Sequence, residues 1–193
     1  PKSEFTVVDV PEMQFLMIDG HGDPNTSTDY VAAVEALYAV AYGVKFRLKK
    51  LGNTDDYVVS PLEGLWWTAD MPTFTTAAKD DWDWTMMIMT PDWISPGHYK
   101  TALDLVREKK NLPALDLIRL ESYREGLSAQ ILHIGSYDQE GPILKRLHIE
   151  WLPAQGLEPA GKHHEIYLND PRRVAPEKLK TILRQPVAPI QGG

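Results

Sequence analysis

The chain contains no cysteine. Disulfides, a thiolate nucleophile and a cysteine-ligated metal are therefore excluded, and nothing calls for an oxidising compartment. Long apolar runs are also missing. The densest stretch, Met86 to Met89, falls far short of the ~20 residues that span a bilayer. The opening residues Pro1, Lys2, Ser3 and Glu4 show no signal-peptide pattern, so the expected location is the cytoplasm with no membrane partner. Positive charge is scarce. Twenty Lys and Arg stand against 27 Asp and Glu, a formal net charge of −7. A phosphate backbone would be repelled, and the basic residues around 45–50 and 172–184 read as solvated surface. The expected partner is a neutral or cationic small molecule, not nucleic acid, and the chain is expected to be a monomer or weak homodimer.

Several chemical motifs are absent as well. Gly20-His21-Gly22 lacks the third glycine and the setting of a dinucleotide fingerprint, and no G-x-S-x-G serine elbow occurs. His163 and His164 are adjacent, so on a strand they diverge and cannot share a metal. Asp19, His21 and Asp23 fall in a glycine- and proline-rich turn, where Asp23 would bond backbone amides. No metal and no cofactor is expected.

What is present is the material for one domain over residues 1–193, with 43 % apolar residues and six tryptophans. Residues 13–19 read as a buried strand, and Gly20 to Pro24 breaks it. Thr28 looks like an N-cap. Val31, Val34, Leu37, Tyr38, Ala41, Val44 and Leu48 then recur at helical spacing, predicting a long helix that ends near Gly52. Residues 57–60, continuing through 65–67, and residues 82–89 read as strands, with Trp82, Trp84, Met86 and Ile88 on one face. A second helix fits residues 97–110. Residues 117–123 and 127–134 read as a hairpin turning at Arg124, Glu125 and Gly126. A third helix fits 138–151, with Ile143, Leu144, Leu147 and Trp151 as its stripe. Residues 162–168 form a strand, 178–187 a last strand or short helix, and 188–193 a loose tail.

This order repeats, strand–helix–strand–strand, over residues about 8–90 and 115–187. The expected fold is α+β: duplicated units forming a curved antiparallel sheet, with helices on one face and a ligand cleft on the other. Alternation puts His163, Glu165 and Tyr167 on one face of their strand, and His164, Ile166 and Leu168 on the other. If helices cover the apolar face, Glu165 and Tyr167 point into the cleft. Glu63, Leu65 and Trp67 share a face, and Trp66 takes the opposite one. Trp82, Trp84 and Trp151 read as core residues; one of Trp66 and Trp67 is available to stack on a planar or cationic ligand. Burial would raise the pKa of Glu165 and make it a better base near neutrality, although structural ion pairs perturb carboxylates too.

Val10-Pro11-Glu12, Phe15 to Gly20, Gly22 to Asn25, Pro61 to Trp67, His133 to Tyr137, His163 to Arg173 and Lys178 to Arg184 together resemble the stand-alone proteins of the GyrI-like small-molecule-binding superfamily. The resemblance spans nearly the whole chain. It implies a duplicated fold with a ligand cleft between its halves, and relatives that include effector domains of multidrug-sensing regulators and a gyrase-inhibitory protein. Glu165 matches the buried glutamate that holds cationic, planar drugs in the sensors. The segment around Leu62 to Trp67 resembles a branch that includes cyclopropanoid cyclopropyl hydrolases, which open the strained ring of DNA-alkylating toxins with water.

Two functions follow from these expectations. In a hydrolase, Glu165 would activate or orient water, Tyr137 or Tyr123 would hydrogen-bond the oxygen that gains charge, and Trp66 or Trp67 would stack on the ligand. Glu63, Tyr167 and His163 would complete the ligand-binding set. In a non-catalytic drug sequesterer or effector sensor, Glu165 would supply only charge.

Overall fold

The computed structural model describes residues 3–50, 56–69 and 78–190. The chain runs β1 (Thr6–His21), α1 (Thr28–Lys50), β2 (Leu62–Trp67), β3 (Asp83–Thr90), α2 (Pro96–Lys109) and β4 (Arg119–Ile134). A helical run follows: a 3-10 turn (Tyr137–Gln139), α3 (Gly141–Arg146), a π turn (Leu147–Trp151) and a last short turn (Leu152–Ala154). The strands β5 (Leu157–Pro159), β6 (His163–Tyr167) and β7 (Lys180–Pro189) complete it. The expected α+β class and curved antiparallel sheet are both present.

The sheet closes, which the sequence did not reveal. Its order is β4-β1-β3-β2-β6-β7, and β7 pairs again with β4, so six antiparallel strands form a barrel. Closure gives each of the six strands an inner side as well as an outer side for helices. That is why Phe15, Leu16, Met17 and Ile18 are all buried, in a continuous run rather than an alternation. Leu16, Ile18, Trp84, Met86 and Ile88 point out beneath α1, while Phe15, Met17, Leu65 and Met87 point in.

Three further expectations are corrected. Residues 124–126 do not turn a hairpin; β4 is one strand paired in constant register with β1 from Arg119 to Gln130. Gly126 has φ +76°, a conformation open to glycine, and there the alternation of faces slips. Glu125 and Gln130 both reach Arg184 inside the barrel although five residues apart, where strict alternation would oppose them. Residues 57–60 are extended but unpaired, and the strand starts at Leu62. Residues 180–189 are strand, so Ala188 and Pro189 belong to the sheet rather than to a tail.

Helix α1 buries Ala33, Ala36, Leu37, Val40, Ala41, Val44 and Leu48, a stripe at three- and four-residue steps. Its N-cap is Ser27, not Thr28: the Ser27 hydroxyl accepts from the Tyr30 amide. The predicted helix end at Gly52 lies outside the described residues. Leu144, Leu147 and Leu152 of the helical run pack on Ala129, Ile131, Leu183 and Val187 of β4 and β7.

A charged cluster crosses the barrel interior. His164 Nε2 lies 2.9 Å from Glu63 Oε2, and His164 Nδ1 lies 3.0 Å from Glu125 Oε1. Arg184 Nη1 donates to Glu125 Oε2 at 2.9 Å, and its Nε donates to Gln130 Oε1 at 3.0 Å. The His164 side chain is 1 % exposed and that of Glu125 2 %. Only the imidazolium can donate from both ring nitrogens, so His164 is charged and the two cations balance the two carboxylates. Burial opposes that charge, but hydrogen bonds from His164 to Glu125 and Glu63 overcome it and raise the His164 pKa to about 8.

A raised histidine pKa stabilises the fold fully below the free value of about 6.5 and is lost as pH rises through the folded value. Urea unfolding is therefore expected to show about 2 kcal/mol less stability above pH ~9 than below pH ~6. The substitution His164→Gln should cost ~3 kcal/mol and flatten this slope. An unchanged slope in the variant would show that another group carries it.

Candidate functional site: a groove between two helices

The site lies between the two helical layers that pack on the outside of the barrel. Helix α1 lies over β1 and β3, and the helical run 137–154 lies over β7 and β4. Strands β2 and β6 come between them in the sheet order, and we take the strip over their outer faces as the candidate groove. On β6, His163, Glu165 and Tyr167 point out into it while His164 points into the barrel. The expected division of faces holds, but the helices lie on the Glu165 side. Closure is the reason: the His164 and Ile166 face of β6 is buried inside the barrel and needs no helix to cover it.

A directed chain of hydrogen bonds crosses the floor. Trp66 Nε1 donates to the Tyr167 hydroxyl at 3.0 Å, and that hydroxyl donates to Glu165 Oε2 at 2.7 Å. His163 Nε2 lies 3.3 Å from Glu165 Oε1. Gly64 makes room for this chain. A Cβ there would sit 2.6 Å from Trp66 Nε1, closer than side-chain contacts tolerate. Aromatic rings wall the groove. Tyr30, from the first turn of α1, lies 6.1 Å from the Trp66 ring, Trp82 lies 5.7 Å from Trp66, and Tyr137 meets Tyr167 edge-on at 5.8 Å.

The electrostatics of Glu165 differ from the sequence expectation. Burial would push its pKa up, but hydrogen bonds from His163 and Tyr167 and the charge of His163 outweigh burial and hold it below the ordinary carboxylate range. Glu165 is thus a fixed anion, not a base tuned towards neutrality. Its neighbour Glu140 behaves oppositely. Burial first, then the negative charge of Glu165, pushes Glu140 up to about 9. Burial with the nearby carboxylates of Glu140, Glu165 and Asp170 pushes the Tyr137 hydroxyl up to about 12.

The structure brings five of the expected residues together in the groove: Glu165, Tyr137, Trp66, Tyr167 and His163. It places the other three elsewhere. Glu63 is inside the barrel, bound to His164. Tyr123 packs edge-on to Phe15 on the inner side at 6.5 Å. Trp67 shares that inner side and carries the Lys162 ammonium 3.4 Å from its ring centre. Sequence reasoning missed Tyr30 and Glu140. Tyr30 sits one turn into a helix whose cap was visible. Glu140 lies three residues beyond Tyr137 at the start of the third helical run, a carboxylate just ahead of the buried Leu144 stripe. A separate shallow depression lined by Glu4, Phe5, Arg146 and Trp151 lies beside that run, away from these groups. Among the described residues no cluster of His, Asp and Glu could hold a metal.

A carboxylate fixed as an anion and ringed by aromatic faces is suited to holding a planar or cationic molecule. Comparison with known proteins agrees in class. The model of the GyrI-like small molecule binding domain matches residues 3–188. The chain belongs to that family. It is similar to an uncharacterised conserved protein from Listeria innocua, at 38 % identity and TM-score 0.90, over 97 % of this chain and 94 % of that one. It is also similar to a protein from Listeria innocua described as a hydrolase, at 37 % identity and TM-score 0.83, over 97 % and 93 %. The C-terminal domain of EcmrR shares the fold at 11 % identity and TM-score 0.59, over 96 % and 98 %. No curated protein is significantly similar to the chain.

The substitution Gly64→Ala is expected to push the Trp66 ring off the Tyr167 hydroxyl. Thermal or urea unfolding should show a loss of ~1 to 3 kcal/mol, with a shift in tryptophan emission. Unchanged stability and emission would mean that the ring is not held as described.

Proposed function

We propose that the chain binds planar aromatic or cationic small molecules in the groove over β2 and β6, with Glu165 as the charge that holds them. The observation that carries this reading is the setting of Glu165, a carboxylate 16 % exposed at the end of the Trp66–Tyr167 hydrogen-bond chain, with tyrosine and tryptophan rings around it. A cation over those rings gains from their faces as well as from the carboxylate. Trp66, Tyr30, Tyr137 and Tyr167 stack on or border the ligand, and His163 keeps Glu165 ionised.

A second reading adds chemistry at the same place: the hydrolysis of cyclopropanoid DNA-alkylating toxins. The similarity to a Listeria protein described as a hydrolase supports it. Water held by Glu165 attacks the ring CH2 and forms the new C–O bond. The strained C–C bond breaks, and its electron pair moves to the conjugated carbonyl oxygen, where the Tyr137 hydroxyl donates a hydrogen bond. The proton lost by water passes to Glu165. A carboxylate with a lowered pKa is a weak proton acceptor, so in this reading positioning of the water does more than basicity.

Both readings can be tested with Glu165→Gln. The affinity of the cationic dye ethidium, followed by fluorescence, is expected to fall ~10-fold or more, since hydrogen bonds and contacts to a buried charge contribute about 1.5 to 3 kcal/mol. Unchanged affinity would rule out Glu165 as the anchor. With a cyclopropane-bearing alkylator, the water adduct should form with the native protein and not with the variant. Absence of the adduct with the native protein across a panel of alkylators would leave the binding function alone.

A further inference from the structure

Glu165 is not the only carboxyl in the groove. Glu140 enters from the helical run on the other side and is 5 % exposed. Its carboxyl and that of Glu165 are within hydrogen-bonding reach of each other. Two ionised carboxylates cannot hydrogen-bond, because each is an acceptor only. Moreover, Glu140 Oε1 is buried without a donor of its own, and the Thr181 hydroxyl, which favours the ionised form of Glu140, is outweighed by burial and by Glu165. A buried carboxylate oxygen without a donor is costly, whereas a carboxyl that keeps its proton turns the clash of acceptors into a bond.

The groups that face Glu140 favour that assignment. From β6 come Glu165 and Tyr167, with His163 beyond Glu165; from its own run come Tyr137 and Asp138, and from β7 comes the Thr181 hydroxyl. His163 lies against Glu165, its Nε2 3.3 Å from Oε1. Asp138 and Glu165 add negative charge near Glu140.

We propose that Glu140 keeps its proton and donates it to Glu165, so that the groove presents one negative charge instead of two and selects singly charged ligands. This rests on the groove being the ligand site. Glu140 is then a positioning and specificity-determining residue. It fixes the orientation of the Glu165 carboxylate from the side opposite Tyr167, and it caps the charge that a ligand must neutralise. A monocation leaves the pair balanced. A dication finds only one partner until Glu140 ionises, which burial and Glu165 postpone to a pH of about 9.

The proton can be observed without any ligand. The infrared spectrum of the native protein should contain a protonated-carboxyl band at neutral pH, lost as pH rises through about 9 and missing in Glu140→Gln. In Glu165→Gln the same band should be lost at lower pH, because the charge that raises the Glu140 pKa is gone. Ethidium and propidium carry one and two positive charges on the same ring system. Raising the pH through that range should tighten propidium on the order of tenfold more than ethidium in the native protein, and leave their ratio unchanged in Glu140→Gln. A neutral-pH spectrum with no band that depends on Glu140 would overturn the proposal, as would identical pH profiles in the two proteins. Failure of both dyes to bind would count against the ligand site, while the infrared band would still decide the state of Glu140.

Discussion

The structure depends on how strand β6 divides its charges between the barrel interior and the outer groove. His164 points into the barrel and is bound on both ring nitrogens by Glu63 and Glu125. Glu165, the next residue, points out into the groove and is bound by Tyr167 and His163. One cation and one anion thus sit back to back on a single strand, the cation balanced by carboxylates inside the barrel and the anion held by hydrogen-bond donors in the groove. The interior cluster brings together β2, β4, β6 and β7 across the barrel. Removing one partner from such a cluster leaves an uncompensated buried charge, which costs far more than the pair contributes when intact. The position of β6, and with it the aim of Glu165, rests on that interior balance.

Closure of the sheet explains why the groove lies where it does. An open curved sheet would bury one face under helices and leave the other for a ligand. In a closed barrel the inner face packs on itself, and the outer face must serve both the helices and the site. The helices divide it: α1 takes one half, the helical run 137–154 the other, and the two strands between them remain as a floor. Tyr30 comes from the α1 flank and Glu140 from the helical run 137–154, so the groove draws on both flanks.

Much of β6 was legible in the sequence, because alternation along His163 to Tyr167 needs no knowledge of distant contacts. The α1 stripe was legible for the same reason, through helical spacing. The opposition of Trp66 and Trp67 was also legible, but not which of them faces in. That depends on pairing with β3 and β6, residues far away in the chain. Gly126 misled for a physical reason: a glycine between charged and apolar segments suits both a hairpin turn and a bend inside a long strand, and only the register with β1 distinguishes them. Glu63 was read as a wall of the cleft because its partner His164 lies 101 residues away. Glu165 was expected to be a poised base on burial alone; its two hydrogen-bond partners reverse the sign of that shift.

The central claim is that the ligand enters the outer groove, not the barrel. A crystal structure with ethidium bound tests it most directly. The account predicts the dye over β2 and β6, between Tyr30 and Tyr137, with its charge nearest Glu165. Ethidium lodged on the inner side against Trp67 and Tyr123, or on the surface away from Glu165, would contradict it.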